Sequence, residues 1–269
     1  MNLLPVDFHK EDVYGVEDDF LHGAFATGVA QDNGFTSTHP VGAITMGDAR
    51  GGTGLFTFTA AADEYLSHTT TNEIFEFVED KPIRFIAKTL LPITLGNELN
   101  IFVGCMENMD SASEFVAAGG GLRLADTDGF GFFTPEAGGA VYPNTEDLWH
   151  CWSNFGDVQQ VTPLLGTNLL NLLGADVKAW DGAAGVGQCL SAEWVPVNVV
   201  PGVGAVAPTL LDAEVRFWVG GRLACKHLMR GVNQITIAGT QEMNFGLVGE
   251  NLTDIASMSC DYLKCEQVR

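Results

Sequence analysis

Over most of the chain apolar and polar residues alternate with a period of two, which predicts strands. In Leu55–Thr59, Phe56 and Phe58 point one way and Thr57 and Thr59 the other. Ile83–Thr89 sets Ile83, Phe85 and Ala87 on one face, with Arg84 and Lys88 opposite. Ala213–Val219 does the same with Val215, Phe217 and Val219 against Glu214, Arg216 and Trp218. Gly220–Gly221 then supplies a two-residue turn of unrestricted φ, and Arg222–Leu228 returns as the partner strand. Glu73–Val78 (closed by a turn at Asp80–Lys81–Pro82), Gln234–Ala238, Met243–Val248 and Ser257–Val268 are further strands. In the last, Met258, Cys260 and Tyr262 are expected to share a face. The dense apolar run Asn100–Met106 has the look of a strand buried on both sides. Gly121–Leu124 and Gly129–Phe133 flank Asp126–Thr127–Asp128, which predicts a hairpin with a polar tip.

One stretch departs from this period. Leu164–Trp180 places Leu164, Leu165, Leu169, Leu172 and Leu173 at a spacing that covers one side of a short helix, though Gly166 and Gly174 interrupt it. Residues 1–50 show little sustained alternation and include the turn formers Asn33–Gly34 and His39–Pro40. They are read as an irregular N-terminal arm or a set of edge elements, and residues 51–269 as a sandwich domain. Many short strands with turns between them argue for an all-β, antiparallel two-sheet sandwich rather than parallel βα units. No repeat of fixed period is present.

Composition narrows the class further. With 46% apolar and 17% charged residues, the chain is not a disordered tail. Its net charge of −21, from 34 acidic against 13 basic residues, repels nucleic acid and anionic lipid, so neither is an expected partner. No run reaches the length of a membrane helix, and Met1–Phe20 is acidic without an apolar signal-peptide core. Cysteines at 105, 151, 189, 225, 260 and 265 form no CxxC pair and are expected to be reduced, several of them in strands.

Catalytic motifs fail on spacing. Hydrolysis of a glycoside takes two carboxylates across the scissile bond. Asp126 and Asp128 alternate, but Gly129 follows and no Glu completes the set. The same pair fails as an EF-hand, because Phe130 and Ala137 stand where oxygen ligands are needed. Gly47-Asp-Ala-Arg-Gly-Gly-Thr53 lacks the lysine of a phosphate loop, and the six histidines show no metal-binding spacing. The chain is therefore expected to be non-enzymatic, with no cofactor and no metal. The densest functional-looking cluster is Glu146-Asp-Leu-Trp-His-Cys-Trp152. Trp149 and Trp152 are candidates to stack on a sugar ring while Glu146 or Asp147 binds its hydroxyls; the competing and favoured reading puts both indoles in a core or a subunit interface.

The residues Glu214-Val-Arg-Phe-Trp-Val-Gly-Gly-Arg-Leu-Ala-Cys225, Ser259-Cys-Asp-Tyr-Leu-Lys-Cys-Glu-Gln-Val-Arg269 and Phe75–Met106 resemble core strands of the concanavalin-like and laminin-G-like jelly rolls. The resemblance covers about the last three quarters of the chain. Within that group the acidic chain, its glycine-rich turns, its irregular arm and the strand ending Asp261-Tyr-Leu-Lys264 are most similar to capsid decoration proteins of tailed bacteriophages. That resemblance implies a virion protein made in the host cytoplasm, cementing the major capsid protein on the capsid exterior as a homo-oligomer, with a trimer favoured. The alternative is a carbohydrate-binding, lectin-like module.

Overall fold

Strands form where one side chain in two is apolar, and sheets pair so that the apolar sides meet. The computed structural model describes residues 13–20, 34–38, 43–46, 54–57, 64–72, 74–77, 81–91, 99–107, 109, 116–117, 121–122, 127–135, 145, 147–155, 158–168, 173–179, 186–200, 210–229, 235–236, 242–251 and 257–268. In chain order its strands are β1 (Val13–Asp18), β2 (Phe35–Thr38), β3 (Ala43–Met46), β4 (Gly54–Thr57), β5 (Glu64–Thr70), β6 (Phe75–Glu76) and β7 (Ile83–Leu91). Then come β8 (Leu99–Met106), β9 (Val116–Ala117), β10 (Gly121–Leu122), β11 (Gly129–Thr134), β12 (His150–Phe155) and β13 (Val158–Pro163). The rest are β14 (Val186–Val200), β15 (Leu210–Val219), β16 (Arg222–Met229), β17 (Ile235–Thr236), β18 (Glu242–Asn251) and β19 (Ser257–Val268). No helix occurs among the described residues.

Two antiparallel sheets make the sandwich. The nine-stranded sheet runs β16-β15-β14-β7-β19-β4-β3, with β1 on β19 and β17 on β15. The eight-stranded sheet runs β13-β12-β11-β8-β18-β5-β2, with β6 on β18. Between them lies one apolar cluster to which β7 gives Ile83, Phe85 and Ala87, β8 gives Ile101, Val103 and Cys105, and β15 gives Ala213, Val215 and Phe217. Phe85 touches Phe130 and Phe245 across the gap, with ring centroids 5.7 Å away in both cases. Each such ring contributes about 1.5–3 kcal/mol by leaving water.

Within residues 1–50, β2 and β3 are edge strands of the eight- and nine-stranded sheets, and β1 lies along β19 from Val13↔Val268 to Asp18↔Leu263. The Gly220–Gly221 turn has φ of 56° and 76°, values that glycine adopts freely, and it joins β15 to β16 as expected.

Three expectations are corrected. Leu164–Trp180 is not helical where it is described: it lies along residues 147–149 instead. Leu164 N donates to Trp149 O (3.0 Å), Trp149 N to Val177 O (3.0 Å) and Ala179 N to Asp147 O (2.7 Å). These backbone groups are satisfied by a neighbouring segment rather than along their own helix, while Leu164, Val177 and Ala179 still reach the core. The hairpin across 126–128 does not form either: β10 pairs with β9, and β11 lies between β8 and β12. Finally, Tyr262 does not share the inward face with Met258 and Cys260. A register shift between Cys260 and Tyr262 resets the alternation, so the inward residues after it are Leu263 and Cys265.

Candidate functional site: the outward face of the eight-stranded sheet

Alternation assigns the outward side chains of the eight-stranded sheet, since inward neighbours belong to the inter-sheet core. Register then lines them up in rows. One row is Thr69, Gly246, Gly104, Gly131 and Trp152, running across β5, β18, β8, β11 and β12. Its glycines leave room for rings to lie on the sheet. A Cβ at Gly131 would sit 2.4 Å from Val103 O and 2.7 Å from the Cζ of Phe102. Phe102 meets Trp152 edge to face at 5.6 Å and 81°. With Met106, Met109, Phe133 and Val248 these two rings form a second apolar cluster, separate from the inter-sheet core.

Around this apolar floor the face carries buried polar side chains, most of them neutral, with the buried carboxylate of Glu250 beside Asn100. Buried atoms without a hydrogen-bond partner include both amide atoms of Asn100, Ser67 Oγ, Asn244 Oδ1 and the indole Nε1 of Trp152. All four residues are 0–1% exposed. Asn100 stands opposite Glu250 on β18, and Ser67 opposite Val248, so Asn100 and Ser67 lie toward one end of the face. A buried polar atom without a partner costs about 1–3 kcal/mol, and native proteins carry few of them. These atoms share the outward face of one sheet, with Asn100 and Ser67 near each other and Asn244 and Trp152 farther along it. On the outward face of the nine-stranded sheet the charges pair instead, as in Arg216 with Glu214 at 3.1 Å and with buried Glu193 at 3.7 Å.

The structure separates the cluster singled out in the sequence. Glu146 lies outside the described residues. Asp147 is half-exposed and pairs with Lys178 at 3.2 Å. Trp149 and Trp152 are both fully buried, and they do not form a common platform. Trp149 packs in the inter-sheet core against Phe132 at 6.3 Å, whereas Trp152 belongs to the outward cluster. An odd separation along an extended chain sends the two indoles to opposite sides. His150 faces outward, its Nδ1 donating to Leu148 O at 3.1 Å.

Each open side of the sandwich is closed by a buried histidine that joins the sheets. On one side His68 of β5 meets Asp18 Oδ2 of β1 through Nε2 at 2.7 Å and Ser37 Oγ through Nδ1 at 2.9 Å. The ring stacks on Phe35 at 4.9 Å and 4°. Asp18 Oδ1 also accepts from Phe20 N at 2.7 Å, holding Phe20 at a φ of 54°. On the other side His227 of β16 reaches Ser153 Oγ at 2.7 Å and Thr162 Oγ1 at 3.1 Å. Serine, histidine and aspartate in contact suggest a hydrolytic relay, but Ser37 and His68 are 0% exposed and Asp18 is 3% exposed. Their geometry fastens β1 and β2 to β5 and leaves no substrate approach. Among the described residues no cluster of three or more metal-ligating side chains occurs.

No protein-family model matches the chain, and no match to a curated protein was found. Solved structures do match. The carbohydrate recognition domain of Emp46p, in its potassium-bound form, superposes with a TM-score of 0.51 at 11% identity, covering 94% of this chain and 95% of that one. The carbohydrate recognition domain of Emp47p gives 0.50 at 8% identity, over 96% and 98% of the two chains. A protein of unknown function from Shewanella oneidensis MR-1 gives 0.50 at 8% identity, over 99% and 90%. At these identities the likeness concerns the fold, a concanavalin-like two-sheet sandwich.

Proposed function

We propose that the protein is a carbohydrate-binding, lectin-like module whose binding face is the outward side of the eight-stranded sheet. The observation that carries this reading is the set of buried, unpartnered neutral groups on that face: the Asn100 carboxamide and Ser67 hydroxyl near each other at one end, with the Trp152 N–H and Asn244 Oδ1 farther along it. A carboxamide, a hydroxyl and an indole N–H together offer donors and acceptors without net charge. A polyhydroxylated neutral ligand answers both, whereas an anion would leave the acceptors unsatisfied and a cation the donors. The aromatic floor of Phe102 and Trp152 suits the apolar face of a sugar ring. Carbohydrate recognition domains among the proteins of similar fold add support. Because these groups are under 2% exposed, binding has to open the face, and slow association is part of the expectation.

The test is a neutral-glycan array followed by calorimetry on the hit. Asn100→Ala and Ser67→Ala should each weaken binding by about tenfold, the worth of one buried hydrogen bond, with an unchanged circular dichroism spectrum. An array without hits, or variants that bind as tightly as the parent, would sink the proposal. The reading as a trimeric capsid decoration protein rests on sequence resemblance alone. It would be revived by co-sedimentation of the protein with empty phage capsids.

A further inference from the structure

The histidine clasp on the β16 side has a feature that its counterpart at His68 lacks. Ser153 of β12 faces His227 of β16 at 2.7 Å. Two residues back along each strand, on the same inward sides, stand Cys151 and Cys225. Register sets Cys151 beside Phe132 and Cys225 beside Phe217, two rings that meet across the sheets at 5.3 Å, so the two thiols face each other close to the His227 imidazole and its Thr162 partner. Two thiols, an imidazole and two hydroxyls therefore meet at the joint between β16, a terminal strand of the nine-stranded sheet, and β12–β13, the terminal pair of the eight-stranded one.

We propose that Cys151 and Cys225 are a redox-active dithiol, oxidised by hydrogen peroxide to a disulfide that staples the two sheets together at this edge. In the first step the Cys225 thiolate attacks one peroxide oxygen. A sulfur–oxygen bond forms, the oxygen–oxygen bond breaks, and the departing hydroxide takes up a proton to leave as water. In the second step Cys151 sulfur attacks the Cys225 sulfenic acid, the sulfur–oxygen bond breaks, and the thiol proton leaves with the hydroxyl as a second water. Two thiols and one peroxide thus become one disulfide and two waters, and a dithiol reductant reverses the change.

The division of labour follows from the surroundings. The hydrogen bond from Cys151, with smaller contributions from His227 and Thr162, outweighs burial and brings the Cys225 thiol down to about 5. Burial, then the neighbouring Cys225, pushes Cys151 well up, so it keeps its proton until the sulfenic acid is there to attack. Cys105 and Cys265 supply an internal control. They also face each other across the sheets, at 3.6 Å, but burial and the Cys105 partner push Cys265 well up, and among the described residues no imidazole bonds to them. Both thiols are buried in the closed fold, so peroxide, far smaller than a hydrolase substrate, reaches them only when the terminal strands open, which they do more readily than the central strands that hold the deep pair.

The test is oxidation of the reduced full chain with one equivalent of peroxide, followed by thiol counting in denaturant and peptide mass spectrometry without reduction. The expected result is loss of two of the six thiols, a Cys151–Cys225 linked peptide and a Tm raised by roughly 10 °C, all reversed by dithiothreitol. In Cys151→Ser a sulfenic acid at Cys225 should be trapped by dimedone. Iodoacetamide should label Cys225 at a rate nearly constant from pH 9 down to about 6, falling only toward 5. Six surviving thiols, a first disulfide between Cys105 and Cys265, or labelling of Cys225 that falls tenfold per pH unit below 8 would each overturn the proposal. The labelling profile needs no variant, so it decides even where Cys151→Ser does not fold.

Discussion

Across the nine-stranded sheet the outward face pairs its charges, whereas across the eight-stranded sheet the outward face leaves neutral polar atoms buried and unpartnered. Register sets Lys226, Arg216, Glu193, Arg84 and Glu266 in one row over five strands, with signs that alternate once past Lys226. Ion pairs such as Lys264–Glu266 at 2.6 Å tie the row to its neighbours. On that face charge is answered by charge, the buried Glu193 carboxylate by Arg216 at 3.7 Å. On the other sheet the equivalent row is paved with Gly246, Gly104 and Gly131, and Asn100, Ser67 and Asn244 on the same face keep buried atoms without hydrogen-bond partners. Buried polar atoms without partners carry a cost that a ligand can relieve. The difference between the faces, more than any single residue, is what the proposed glycan site on the eight-stranded sheet rests on.

The largest expected effect comes from removing the room that the glycine row provides. Gly131→Val would drive a Cβ against Val103 O and the Phe102 ring, and backbone cannot step aside as a flexible side chain does. A loss of ~3 kcal/mol is expected in urea denaturation. Gly187→Val on β14 of the other sheet is the matched control: the nearest neighbour of a Cβ there is Leu90 Cδ1 at 3.7 Å, an ordinary contact. Equal losses at the two positions would erase the contrast.

On the charged face the sensitive residue is Arg216, because its partner Glu193 is fully buried. Arg216→Ala removes a charge partner of that carboxylate and is expected to cost about 2 kcal/mol, less than for a wholly buried pair because Arg216 itself is partly exposed. Arg216→Lys should recover part of the loss. A change under 0.5 kcal/mol for the alanine variant, read by the same denaturation, would mean that the charged row is ornamental.

Much of the sandwich was legible in the alternation itself. Ile83, Phe85 and Ala87, and likewise Val215 and Phe217, face inward as their spacing says, and the Gly220–Gly221 turn falls where two glycines interrupt two strands. What was not legible depends on contacts between distant segments. Leucines at helical spacing in 164–173 also suit a loop that borrows its hydrogen bonds from residues 147–149. The bulge at Asp261 has no local marker, yet it alone turns Tyr262 away from the core. Trp149 and Trp152 were readable as opposed, since their separation is odd, and proximity in sequence hid it. Asn100 and Ser67 passed unnoticed because one polar residue in a strand stands out only when burial shows that it lacks a partner. His68 and Asp18, fifty residues apart in sequence, had no signal at all.

The next prediction inverts the usual sign of a core substitution. Replacing buried Asn100 by Val removes two unpartnered polar atoms and keeps similar bulk, so the free protein should gain about 1 kcal/mol while glycan binding is lost. Such a trade is what a site held at a cost for its ligand shows, and a structural asparagine does not. Destabilisation by Asn100→Val would mean that its amide is satisfied in the free protein, and the contrast between the faces would weaken with it.

The smallest effect tests the charged face at its surface. Lys88 and Asp261 lie 3.5 Å apart with both side chains about half exposed, so solvent screens the pair and holding two mobile side chains together costs entropy. Lys88→Met should change stability by no more than ~0.5 kcal/mol, and any loss should vanish in 1 M salt. The value of this small number lies beside Arg216→Ala. Two ion pairs on one face, one half-exposed and one reaching a buried carboxylate, should differ severalfold, and the ratio measures how far burial rather than charge count makes that face self-sufficient. If Lys88→Met instead costs as much as Arg216→Ala, the ladder acts as one cooperative network across β7, β14, β15 and β19. Its completeness would then be a property of the whole row, not of Glu193.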